Sequence, residues 1–133
     1  MKKSYYTFLI ALFASCIFAS CSSPKTAVVG FMNKMQDMDF AGAKKYSSEE
    51  TKKLLGSLES MMAMMPKEEM PPIEDKKIIT KDWVKCKTQG KEGTCQLCEG
   101  DDCTDDPIKV IKEQGQWKVH LAKEDMNKEE PIK

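Results

Sequence analysis

Four cysteines fall within residues 86–103, spaced Cys86-x8-Cys95-x2-Cys98-x4-Cys103. A segment this short has few conformations left once its sulfurs bond to one another or to a metal. Which bond forms depends on the compartment. Outside the cytosol, an even set of cysteines in a small domain reads first as disulfides; inside it, metal binding or catalysis is the commoner use.

The N-terminus speaks to the compartment. Lys2 and Lys3 precede a mostly apolar, uncharged run from Tyr5 to Ala19. That run is shorter than the ~20 apolar residues that cross a bilayer. A positive start, a short apolar run and small residues before a cut site describe a secretory signal. Phe18-Ala19-Ser20-Cys21 resembles a lipobox, in which small residues precede a cysteine that receives a diacylglycerol; Phe18 stands where an aliphatic residue is usual. A second copy, Phe13-Ala14-Ser15-Cys16, would leave a shorter apolar segment if cut. Residues 1–20 are therefore expected to be a lipoprotein signal peptide and Cys21 the lipidated residue. An ordinary cleaved signal with a chance cysteine is the alternative. Ser22, with no Asp at that place, resembles signals that allow passage to an outer membrane. Removing 20 of the 133 residues leaves 113, enough for one domain with a small core. With Cys16 removed and Cys21 acylated, the remaining four cysteines are an even set.

The mature chain carries 19 lysines against 21 acids, and no arginine. Phosphate and base recognition leans on the guanidinium fork, so nucleic acid is an improbable partner. In sequence the lysines are interleaved with Glu and Asp, which argues against an anionic-lipid patch.

The expected domain runs over 25–124, after a lipidated tether at 21–24 and before a polar tail at 125–133. Ser23 and Pro24 have the form of an N-cap and first helical residue. Ala27, Val28, Phe31, Met32, Met35 and Met38 follow at helical spacing. Asp39 can cap a short helix over Phe40–Tyr46. Ser47 and Glu50 have capping-box spacing and would open a third helix. Leu54, Leu55, Leu58, Met61, Met62 and Met65 line one side of it, and Pro66 ends it. Strand-like stretches follow at Lys76–Lys87 and Thr94–Cys98, around a turn at Gly90–Gly93. Glu99–Asp106 reads as an acidic loop. Ile108–Glu113 and Trp117–Leu121 form a hairpin about Gln114-Gly115. If Glu113 faces Gln116, then Val110 faces Val119 and Ile108 faces Leu121, on one face with Trp117; Lys118 and His120 take the other. Helices followed by strands predict an α+β domain, with the N-terminal helices packed on a curved antiparallel sheet of about four strands.

The opening helix at Ser23-Pro24, the "MDFAGAKKY" segment (Met38–Tyr46) and the closing "IKVIKEQGQWKV" hairpin (Ile108–Val119) carry a family resemblance. Together they resemble small bacterial lipoproteins of unknown function in the nuclear transport factor 2-like superfamily. The resemblance spans residues 23–124 and implies a cone, a curved sheet wrapped around helices, of the kind ketosteroid isomerases share. A fold of this kind does not assign an activity.

A hairpin centred near Gly90-Lys91 sets Cys86 opposite Cys95, and Cys98 with Cys103 would then close the acidic loop. A four-cysteine zinc site is a competing reading, although only Cys95-x2-Cys98 is the close pair such sites use. A redox Cys-x-x-Cys is another, although the motif falls in a strand among acids and not at a helix N-terminus. Met61, Met62, Met64, Met65 and Met70 suggest a Cu(I) site, set against ordinary core packing by a methionine stripe. Asp101, Asp102, Asp105 and Asp106 do not have EF-hand spacing and read as a solvated loop. His120, the only histidine, reads as a surface residue, with no serine or cysteine marked as its partner. Tyr46 and Asp82 are the residues nearest to an isomerase-like set, and no acid–base constellation assembles around them.

The expected function is that of a lipid-anchored cell-envelope protein with no cofactor, non-catalytic, binding a small apolar ligand or serving a structural role. The alternatives are a protein-interaction module of an envelope complex and an isomerase-like or hydrolytic enzyme. Radiolabelled palmitate is expected to label the wild-type chain, and Cys21→Ala to release the protein from the membrane into the soluble envelope fraction. An unlabelled wild type would refute the anchor.

Overall fold

The computed structural model describes residues 22–66, 68 and 76–123. The leader, Cys21, Met70 and the tail from Asp125 lie outside the described residues. The protein is α+β. Among the described residues three helices, α1 (Pro24–Gln36), α2 (Phe40–Lys44) and α3 (Glu49–Met64), precede a 3-10 turn (Lys81–Trp83). Five strands follow: β1 (Val84–Gln89), β2 (Glu92–Glu99), β3 (Asp102–Cys103), β4 (Ile108–Glu113) and β5 (Gln116–Val119). The antiparallel sheet has the order β1-β2-β4-β5, with β3 paired to the far end of β2. Among the described residues no helix is long and apolar enough to cross a membrane.

Ser23 caps α1, its Oγ accepting from the Thr26 amide at 3.1 Å. Ser22, at the expected tether, accepts from the Trp117 amide at 2.9 Å, so the chain is held to β5 just before the helix begins. Ala27, Val28 and Phe31 form the buried face of α1. Asp39 caps α2 by accepting from the Gly42 amide at 2.8 Å. Its ion pair with Lys34 at 2.9 Å pulls the Asp39 carboxyl below its ordinary range and raises the Lys34 ammonium. Both groups are solvated, so the pair adds little stability. Gly30 is required by close approach: a Cβ there would strike the Tyr46 ring.

The α3 cap differs from the sequence reading by one residue. Ser48, not Ser47, is the N-cap and accepts from the Thr51 amide. Ser47 is instead buried, donating to the Ala43 carbonyl at 2.8 Å and lying beside Val119 in a parallel bridge. The two serines are equally good caps locally. The pairing of this stretch with β5 decides between them. The apolar side of α3 also differs: Thr51 and Leu55 are buried, whereas Leu58, Met61 and Met65 are exposed. The first half of the helix packs beside α2 and β5; the second half runs past the sheet.

Lys76–Thr80 is not a strand. Asn33 on α1 takes both backbone groups of Ile79, donating to its carbonyl and accepting from its amide at 2.9 Å each. This amide pairing replaces a strand neighbour, so β1 begins only at Val84. The turn tightens to Gly90-Lys91, with Gly90 at φ 63°, and β2 lengthens to eight residues. The closing hairpin has the expected register, Glu113 opposite Gln116 and Val110 opposite Val119. Gln114 and Gly115 both take positive φ, as a two-residue hairpin turn of this twist needs. The strand stops at Val119, so Ile108 and Leu121 are not a ladder pair, although both still pack on the core. That core joins Val28, Phe31 and Leu55 from the helices to Val84, Val110 and Val119 from the sheet.

Cys86 is bonded to Cys95 and Cys98 to Cys103, each pair directly opposite in the ladder. The second bridge turns part of the expected acidic loop into β3. Mass spectrometry of unreduced protein is expected to find none of these four cysteines alkylated. Replacing both Cys86 and Cys95 by alanine should lower unfolding stability by ~2–4 kcal/mol in urea titrations.

Candidate functional site

Two places gather chemistry. The first is a corner where α3 meets β5. His120 is only 15% exposed at its side chain, not the surface residue its strand position suggests. Its Nδ1 is 3.0 Å from Ser48 Oγ, and its Nε2 is 3.6 Å from Glu50 Oε2. The structure thus brings a serine and a carboxylate to the histidine, which the sequence reading did not. The only local signal is the serine N-cap; a separation of 72 residues between Ser48 and His120 leaves no other trace.

The arrangement has the order of a nucleophile, base and acid, but its geometry is that of a fastening. Ser48 is fully buried. Its oxygen accepts from the Thr51 amide and lies 2.9 Å from Thr51 Oγ1. A serine nucleophile must reach a substrate carbon with its hydroxyl free to pass its proton to the base. Here the hydroxyl is enclosed and committed to the helix start. Nearby, burial pushes the Lys118 ammonium down, with the charge of Lys52 acting in the same sense. A hydrogen bond from Lys52, followed by its charge, pulls the Glu49 carboxyl down.

The second place is an apolar groove of about 430 Å³ at the far end of the sheet. Ile79, Trp83 and Leu97 line it with the Cys98–Cys103 bridge. Three features position these walls. The Asn33 amide holds Ile79, the 3-10 turn presents Trp83, and the disulfide pins β3 against β2. Lys77 sits 4.6 Å from the Trp83 ring centroid and pairs with Glu99 at the rim. This combines an apolar floor with a few charged groups at the mouth, the usual make-up of a small-molecule site. A larger hollow of about 1060 Å³ lies by Lys87, Thr94, Lys109 and His120. Pro107, Ile108, Leu121 and Ala122 also line it, but polar groups make up a larger share of its wall than in the Trp83 groove.

The remaining sequence candidates stay apart. Asp82 is exposed in the 3-10 turn, and Tyr46 is half-buried against Gly30. Asp101, Asp102, Asp105 and Asp106 are exposed. Among the described residues no group of three or more His, Cys, Asp or Glu converges as a metal site. The chain matches no protein family, no curated protein and no solved structure.

Ser48→Ala removes both the cap and the buried partner of His120. It is expected to lower unfolding stability by ~1–2 kcal/mol. Urea unfolding that matches the wild type would show that Ser48 does not fasten this corner.

Proposed function

We propose that this is a lipid-anchored envelope protein, held at the outer membrane through Cys21, whose disulfide-bridged domain binds a small apolar ligand without transforming it. The Trp83 groove carries this reading. Its volume lies within the ~300–1,000 Å³ common for such sites, and its walls are held by a disulfide and a two-sided amide clamp. The two bridges support an oxidising compartment. Burial of Ser48 speaks against acyl-transfer chemistry at His120. The second reading is a protein-interaction module, and the exposed apolar end of α3 favours it.

Anilinonaphthalene sulfonate titrated into the full chain tests the groove. It should bind saturably with energy transfer from Trp83. Trp83→Ala should abolish the saturable component, and Trp117→Phe should retain it. Equal binding by wild type and Trp83→Ala would sink the groove reading while leaving the anchor, which palmitate labelling tests separately.

A further inference from the structure

The second half of α3 carries methionine where packing does not call for it. Met61 is 63% exposed, Met64 85% and Met65 39%. Core packing, the ordinary explanation of a methionine stripe, therefore does not account for these three. The helix is intact up to Met64, and the Met65 amide closes it on the Met62 carbonyl at 3.1 Å. At 3.6 residues per turn, Met61, Met64 and Met65 fall within an arc of about 100°. Positions three and four apart on a helix are surface neighbours, with Cβ atoms ~5–6 Å apart. Long, unbranched thioether side chains from such positions can converge on one point.

The rest of this half-helix is chemically quiet. Ser57 and Ser60 donate back to the carbonyls of Lys53 and Gly56. Its one carboxylate, Glu59, is on the other side of the helix and paired with Lys44 at 2.6 Å. The arc therefore offers soft sulfur ligands and no hard oxygen from the helix side chains. Thioethers select Cu(I) over Zn(II), Mg(II) or Ca(II), which prefer imidazole, thiolate or oxygen donors. The four bridged cysteines offer no thiolate to compete.

We infer that Met61, Met64 and Met65 form an exposed, three-thioether binding site for a soft monovalent cation, Cu(I). The site is separate from the Trp83 groove and does not depend on it. Binding is a coordination step alone: the cation keeps its oxidation state and no proton is released, because a thioether has none to lose.

The test uses the full chain with Cys16→Ala and Cys21→Ala, so that no thiol competes, and Ag(I) as a redox-inert probe that leaves the disulfides oxidised. With the methionine methyls labelled with carbon-13, Ag(I) should shift the Met61, Met64 and Met65 resonances together and saturate at one equivalent. Cu(I) should then be drawn from bicinchoninate, and Met61→Leu with Met64→Leu and Met65→Leu should weaken that competition at least tenfold. All three positions are exposed and leucine keeps their apolar character, so the fold, checked by circular dichroism, should not change. Shifts confined to Met32, Met35 or Met38, or a leucine variant that competes as well as the wild type, would overturn the site.

Discussion

The hydroxyl of Thr51 closes the molecule. Its Oγ1 donates to the Val119 carbonyl at 3.1 Å and accepts from the Leu121 amide at 2.7 Å. The Ser48 amide also donates to the Val119 carbonyl, and the Val119 amide donates to the Tyr46 carbonyl. A strand at the edge of a sheet presents unpaired backbone groups, an invitation to unwanted pairing. Here the chain entering α3 takes those groups up. The start of the helix, the end of β5 and the position of His120 follow from this one junction. Ser47, Ser48 and Thr51 are buried, and no buried side-chain nitrogen or oxygen among the described residues lacks a partner. The junction is polar and still adds stability, because each group given up by water is bonded again.

The opposite end of the sheet is held by other means. Asn33 imitates a strand neighbour for Ile79, and Cys98–Cys103 ties a two-residue strand to β2. A strand of two residues has too few ladder bonds to persist unaided. The bridge shortens the unfolded chain's freedom and makes that strand affordable. The same two constraints form the walls of the Trp83 groove. A binding surface built on anchored backbone loses less conformational freedom when a ligand arrives. The groove therefore inherits its shape from the devices that end the sheet.

The two proposed binding places suit different chemistry because they are built differently. The groove is walled by carbon and a disulfide, with Lys77 and Glu99 paired at its mouth. The α3 arc is open to solvent and rich in polarisable sulfur. The first fits an apolar molecule laid against its floor; the second fits a single ion that a few soft atoms can surround. His120 serves neither. Its contacts with Ser48 and Glu50 tie the helix start to the sheet.

Local chemistry in the chain determined the caps at Ser23 and Asp39, the Gln114-Gly115 turn and the register that sets Val110 against Val119. A hairpin near Gly90-Lys91 made Cys86 opposite Cys95 the expected pair, while the two-residue turn that sets this register belongs to the folded chain. These features depend on residues close in sequence, where side-chain type and spacing carry the information. Only the tertiary structure decided between Ser47 and Ser48 as the α3 cap, since both can cap and the Val119 pairing lies 72 positions away from Ser47. It also set the start of β1 through Asn33, 46 residues distant from Ile79. The methionines show the same limit. Helical spacing put Met61, Met62 and Met65 on one face, but a face becomes core only where another element covers it. The pleat similarly sorted Lys85, Lys87 and Lys109, scattered among acids in sequence, onto exposed positions of the sheet. Periodicity states which residues point together; what they meet is a property of the folded chain.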